Sequence, residues 1–298
     1  MDADGKPLDT KKQYYAIAFT IYGLSEHYRA TGDTKSLEMA TKLFHDIERH
    51  SRDNEKGGYL EASTRDWKEI SDMRLSDKDD NACKTMNTHL HILEACTSLL
   101  KVWRDPELLQ ATTALLEIFL DIIQDAQTGH MGLFFDADWR RMDRNVSYGH
   151  DIEASWLLLE CAEVIDEPAL YERTLQATER MAVAALEGRR DDGSMVYELH
   201  GDGRLDDDRH WWVQAEDVIG LVYLWRFHGH KDALQKAEQS WSYIDSEIVD
   251  HEEGEWYWSR RGSDGSIDRD DDKAGFWKCP YHNGRMCMEV ISRLNDDQ

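Results

Sequence analysis

The feature that most constrains this chain is a helical hairpin that recurs along almost its whole length, each copy separated from the next by the same kind of glycine-led turn. Tyr14, Ile17, Ile21, Leu24 and Tyr28 share one helical face. After Thr31-Gly32-Asp33 a second stripe follows, Leu37, Ala40, Phe44 and Ile47, with Asp33 placed as its cap. The pattern predicts a second pair over about 85–103 and up to about 124, with Asp105 as cap and Pro106 in the first turn. A third runs over 148–165 and 168–187, and a fourth over 210–228 and 231–249. A last helix, roughly 281–294, stands without a partner. Between pairs, Gly57-Gly58-Tyr59, Gly132-Leu133-Phe134-Phe135, Gly193-Ser194-Met195-Val196-Tyr197 and Gly254-Glu255-Trp256-Tyr257-Trp258 each set glycine before a short β-like run.

Repeated hairpins of this size stack as an open solenoid or close into a ring. The first helix of each pair opens on polar and aromatic motifs and the second is an ordinary amphipathic helix, so an inner and an outer ring are expected. The predicted fold is all-α, an (α/α)6 barrel with short β-hairpin-like loops, forming one domain over residues 1–298. Six hairpins need twelve helices and about nine are visible. Asp4-Gly5-Lys6-Pro7 reads as the second half of an inter-hairpin turn. The expectation is a chain that begins in mid-repeat, incomplete at its N-terminal side by about three helices.

Composition narrows function by exclusion. A formal net charge of −25 repels phosphate backbones and anionic lipid, so neither nucleic acid nor a membrane surface is an expected partner. No apolar run approaches the length of a membrane span, and Met1-Asp2-Ala3-Asp4 is unlike a secretory leader, which points to the cytoplasm. The five cysteines, Cys83, Cys96, Cys161, Cys279 and Cys287, are odd in number and widely spaced, and are expected to be reduced and buried.

Chemistry concentrates at the helix starts. Asn87 and His91 lie four apart and share a face, with His89 pointing elsewhere; His150 and Glu153 lie three apart after Gly149; Trp212 and Glu216 repeat the four-residue spacing. Of the adjacent Trp211 and Trp212, one should be a core anchor, and Trp212 is taken as the platform. Trp277 and His282 flank Cys279-Pro280, which puts His282 at a helix N-terminus. Tyr14-Tyr15 and Trp67 are weaker members of the set. Imidazoles for proton transfer, tryptophan faces for sugar C–H surfaces, and amides and acids for hydroxyls compose a carbohydrate site. A zinc centre built on His91, His150, Glu153 and His282 lacks a tight ligand motif, and a carboxylate-pair glycosidase does not explain why the motifs centre on histidines.

The strings Lys84-Thr-Met-Asn-Thr-His-Leu-His-Ile-Leu-Glu-Ala95, Ser147-Tyr-Gly-His-Asp-Ile-Glu-Ala-Ser-Trp156, Arg209-His-Trp-Trp-Val-Gln-Ala-Glu216 and Gly275-Phe-Trp-Lys-Cys-Pro-Tyr-His-Asn283 resemble the cellobiose 2-epimerases of the N-acylglucosamine 2-epimerase superfamily. The resemblance implies an (α/α)6 barrel that inverts C2 of the reducing-end glucose of β-1,4 disaccharides, giving mannose there, without cofactor or metal. It implies that His150 and His282 exchange the C2 proton on opposite faces of an enediolate and that His91 assists ring opening. Tyr15, Asn87, Glu153, Trp212 and Trp277 match sugar-binding positions. Glu216 joins them as a substrate-binding candidate on its spacing from Trp212. Ile17 stands where the family usually has Gln, and an arginine of the family's N-terminal helices has no counterpart. Two alternatives remain open: a mannose 2-epimerase or aldose–ketose isomerase of the same superfamily, and a non-catalytic sugar-binding module.

Overall fold

The computed structural model describes residues 2–76 and 79–295. Among them are nine α-helices: α1 Tyr14–Thr31, α2 Thr34–His50, α3 Met86–Leu100, α4 Pro106–Ile118, α5 Tyr148–Ile165, α6 Pro168–Ala185, α7 Trp211–His228, α8 Ala233–Tyr243 and α9 Tyr281–Asn295. The chain forms two compact units. The first is Met1–Ile123, Gly132–Asp143 and Glu160–Tyr171; the second is Gln124–Met131, Arg144–Leu159 and Glu172–Gln298. In the first, α1 packs on α2 and α3; in the second, α7 packs on α8 and α9.

The expected alternation of helix types is present in the second, third and fourth pairs, whereas in the first α1 buries only Tyr14, Ala18, Ile21 and Ser25. From Trp211 to Leu224 every residue of α7 is buried, and α3 is buried from Thr88 to Leu100. By contrast α2 buries only Ser36, Ala40, Phe44 and Ile47, one stripe at three- and four-residue spacing. Helix starts follow the predicted caps: Asp33 accepts from Lys35 N–H at 3.2 Å, and Asp105 accepts from Glu107 N–H at 2.8 Å with Pro106 behind it. Both α4 and α8 continue into a π-helical turn, Phe119–Ile123 and Ile244–Ile248, where the periodicity predicted unbroken helix.

The glycine-led runs do less pairing than expected. In three of them one residue, and beside the Gly132 run the preceding Met131, makes a single bridge back to the end of the preceding helix: Tyr59 to Arg52, Met131 to Gln124, Met195 to Arg189 and Trp256 to Val249. The two-residue strands form just beyond in three cases. β2 (Ala62–Ser63) pairs with β1 (Lys12–Gln13) and β4 (Phe134–Phe135) with β3 (Lys84–Thr85). β6 (Glu198–Leu199) pairs with β5 (Val146–Ser147) and β7 (Leu205–Asp206), and β9 (Ser259–Arg260) with β8 (Arg209–His210). So β3, β5 and β8 each lead directly into a buried helix and β1 into α1, which buries one stripe (Tyr14, Ala18, Ile21 and Ser25), and in each case a strand pair fixes the helix's first residue.

A second device repeats one turn into the helix. The fourth residues of α3, α5 and α7 are His89, Asp151 and Gln214, and each side chain accepts the bridging residue's N–H: Tyr59 to His89 Nε2 at 2.9 Å, Met131 to Asp151 at 2.9 Å, Met195 to Gln214 at 2.9 Å. In α1 this position is the apolar Ile17. The tips of the hairpins repeat too. A residue following Asp adopts the left-handed conformation at Gly5, Trp67, Trp139, Gly203 and Gly265. Glycine does this without strain, whereas a bulky residue requires contacts that hold it there. Trp67 has them in the His50 ring, stacked at 4.3 Å and 11°, and the Lys12 ammonium, 3.6 Å from its centroid. Trp139 donates its indole N–H to the Lys56 carbonyl at 3.0 Å and carries Lys84 over its ring.

Two expectations change here. Cys96 and Cys161 are buried as free thiols, but Cys279 and Cys287 are exposed and Cys83 is half-buried. Trp67, read as a weak sugar-contact candidate, has its ring taken up by Lys12 of β1 and His50 at the end of α2.

Candidate active site

Five helices, α1, α3, α5, α7 and α9, present their motif residues in a common register. Tyr15, Asn87, Trp212 and His282 are the second residues of α1, α3, α7 and α9; His150 is the third of α5; and His91, Glu153 and Glu216 are the sixth of α3, α5 and α7. Strand pairs set where α1, α3, α5 and α7 begin, so for those four helices the register is a direct product of the repeat, while α9 reaches it without one.

In the second unit the structure gathers His150, Glu153, Trp212, Glu216 and His282. Gly149 makes this possible, because a Cβ there would lie 2.6 Å from the Trp212 ring. Trp212 lies against both imidazoles, with centroids 4.8 Å from His150 and 5.6 Å from His282. Its neighbour Trp211 turns away onto Trp258 at 4.4 Å, the anchor role foreseen for one of the pair. His150 Nδ1 is 2.7 Å from Ser147 Oγ, and His282 Nδ1 donates to Glu216 Oε1 at 2.7 Å. Nδ1 is thus engaged on each ring.

Glu216 is fully buried and also accepts the Trp156 indole N–H at 2.9 Å. Burial alone would raise its pKa. The Arg285 guanidinium and His282 outweigh burial and hold it down to about 2, so it is a fixed anion at any working pH. Arg285 was not singled out from sequence. It is 4% exposed, donates to Glu153 at 2.8 Å and to Glu216 at 2.7 Å, bonds the Tyr281 hydroxyl, and lies between the Trp156 and Tyr281 rings at 4.7 and 4.1 Å. The available signal was its position three residues after His282, on the same helical face. Glu153, Glu216 and His282 each bring one ligand atom within 4.8 Å of the others, a spacing that suits a metal ion. Arg285 contacts both carboxylates and sets a guanidinium where such an ion's charge would act.

Trp277 is 46% exposed and meets Phe276 edge-on at 4.9 Å, so much of its indole faces outward. In the first unit His91 is 4% exposed, donates Nδ1–H to Glu94 at 2.9 Å, and packs against Tyr15 at 5.0 Å and Phe19 at 4.7 Å. Asn87 Oδ1 is buried with no hydrogen-bond partner among the described residues. His89, which pointed elsewhere by spacing, is fully buried and structural: its Nδ1–H donates to the Thr85 carbonyl at 2.6 Å while Nε2 accepts from Tyr59.

Comparison with known proteins places the chain in a family. The N-acylglucosamine 2-epimerase (GlcNAc 2-epimerase) family profile matches residues 1–283. A cellobiose 2-epimerase of Bacteroides fragilis is 54% identical over 288 residues, covering 96% of this chain and 73% of that protein. One from Ruminococcus albus is 38% identical over 98% of this chain and 75% of its own length. The solved cellobiose 2-epimerase of Bacillus thermoamylovorans superposes with a TM-score of 0.93 at 37% identity, covering 98% of this chain and 75% of the other. The helical repeat is accordingly of the (α/α)6-barrel class. In sequence and in fold, the chain belongs to the N-acylglucosamine 2-epimerase family.

Proposed function

We propose that this carbohydrate epimerase acts on the reducing-end glucose of cellobiose-like β-1,4 disaccharides, converting it to mannose, with His150 and His282 as the proton-exchanging pair. The observation that carries the reading is the pair of imidazoles on either helix start, each anchored through Nδ1 and both set against Trp212. In the open-chain aldose the C2 proton is acidified by the C1 carbonyl. One imidazole Nε2 takes that proton, the C2–H electron pair moves into an enediolate, and the other imidazole returns a proton to C2 from the opposite side. Atoms balance without a redox step, since the sugar leaves with one proton at C2 as it arrived.

Trp212 supplies a ring beside the reacting carbon and Trp277 an outward face for a second sugar unit. The buried Asn87 Oδ1 is an acceptor suited to a sugar hydroxyl. Roles for His91 in ring opening, and for Tyr15 near the reacting carbons, rest on the sequence resemblance. Glu153 and Glu216, tied together by Arg285, serve in this reading mainly to orient the imidazoles' surroundings, with Glu216 fixing the His282 tautomer. The resemblance itself gave Glu153 to the sugar.

Incubation with cellobiose in deuterated water tests the reading: glucosyl-mannose carrying deuterium at C2 is expected. A ketose product would assign the isomerase reaction instead, and binding without exchange would assign a sugar-binding module. His150→Asn and His282→Asn should each abolish exchange, and its survival in either removes that residue from the pair.

A further inference from the structure

The second unit contains a cavity of about 460 Å³ that none of the residues around His150 and His282 lines. One wall is the end of α8 with its π-helical turn, carrying Tyr243 and Glu247; the other is β8 paired with β9 and the hairpin that follows β9, carrying Arg209, Arg260 and Arg261, and Asp192 completes the rim. The volume falls within the range of small-ligand pockets, about 300–1,000 Å³.

Its chemistry is not that of an anion trap. Arg260 Nε donates to the Glu247 carbonyl at 2.7 Å and its other nitrogens reach the Gly265 carbonyl at 3.2 Å and the Glu247 carboxylate at 2.9 Å. Arg261 is held by Asp268 at 3.1 Å and by Asp270, and Arg209 by the Asp207 carbonyl. Each guanidinium is therefore fixed in plane, and all three already face a carboxylate, Arg209 facing that of Asp207 at 3.9 Å. An incoming anion would have to displace those carboxylates. A neutral polyhydroxylated ligand would not, because fixed N–H and carboxylate edges bond sugar hydroxyls as they stand. Tyr243 is half-buried between the walls, and burial, reinforced by Asp192 and Glu247 against the arginines, pushes its hydroxyl up to about 12, so it stays a protonated donor beside an aromatic face. Gly262 lets the hairpin close on this side, since a Cβ there would overlap the Asp207 carboxylate.

We infer that this cavity is a second saccharide site, separate from the catalytic histidines, that takes a neutral β-linked glucoside of one or two units. β8 runs straight into Trp211 and Trp212, so an occupied cavity sits on the strand from which the catalytic tryptophan hangs.

The test is hydrogen exchange of the full chain with saturating methyl β-cellobioside. Its blocked anomeric centre cannot ring-open, so the readout does not depend on epimerisation. Amides of 242–247 and 260–265 should exchange about tenfold more slowly with ligand at ten times its dissociation constant. Ser246→Trp, which plugs the cavity from the exposed π turn, and Tyr243→Leu should each remove that protection, and the plugged variant should keep the deuterium-incorporation rate at C2. Protection confined to 147–153, 211–216 and 281–285, protection that survives both substitutions, or protection given by inorganic phosphate and not by the glycoside, would each overturn the inference.

Discussion

His89→Gln should make the protein more resistant to mild acid. His89 is fully buried, and its burial, only partly opposed by the Thr85 carbonyl, lowers its pKa from 6.5 to about 4. In the fold it is therefore neutral at pH 5, with Nε2 accepting the Tyr59 N–H and Nδ1–H donating to Thr85. In the unfolded chain it is protonated at pH 5. The unfolded state thus binds more protons, and stability falls as pH drops from 6.5 towards 4. At 1.36 kcal/mol per pKa unit the loss between pH 7 and pH 5 is about 2 kcal/mol from this one group. Glutamine can keep the latch without the titration, as Gln214 does in α7, where Oε1 accepts Met195 N–H and Nε2 donates to the Met195 carbonyl. Urea unfolding of both proteins at pH 7 and pH 5, followed by tryptophan fluorescence, measures the difference, and titrations common to both cancel. The expected result is an acid-induced loss about 2 kcal/mol smaller in the variant. Equal losses in the two proteins would refute the claim that a buried neutral imidazole closes this turn.

Glu216→Gln removes the anion that fixes His282 and half of what Arg285 binds; kcat with cellobiose should fall on the order of 10²-fold or more, and unfolding free energy by about 3–5 kcal/mol for a broken buried pair. An unchanged kcat would sink the tautomer-fixing role. Gly58→Ala places a Cβ at φ +75°, against the Trp139 ring and 2.7 Å from His89 Nε2. Strain and overlap together should cost about 2–4 kcal/mol, visible as a lowered midpoint in thermal unfolding, and a variant as stable as the parent would show that the loop has slack.

Helix starts were the legible part of the sequence because local chemistry decides them. Asp33, Asp105 and Pro106 act within one turn of the backbone, and the β-like pairs then bring Asn87, His150 and Trp212 into register at the second or third helical position, which His282 shares on α9 after Pro280. What could not be read depended on partners distant in sequence. Arg285 looks like any cation on an amphipathic last helix until Trp156, Glu153 and Glu216 close around it. The strands were placed early at three of the four turns because a glycine-led aromatic run has strand propensity, whereas its bridging residue pairs back to the preceding helix. Trp67 carried the composition of a sugar platform, yet its ring is engaged by Lys12 and His50, contacts that no spacing rule announces.

The left-handed hairpin tips also bear on the order in which the chain assembles. Asp202-Gly203 and Asp264-Gly265 can turn on local preference alone, so the hairpins of the second unit can form before anything packs on them. Asp66-Trp67 and Asp138-Trp139 cannot: an indole at φ +65° or +62° is unfavourable until His50, Lys12 or the Lys56 carbonyl arrives to hold it. Those two turns should close late in refolding. Pulse-labelled amide exchange would show it as protection of Gly203 and Gly265 preceding that of Trp67 and Trp139, and Trp67→Gly should bring the first-unit turn forward in time.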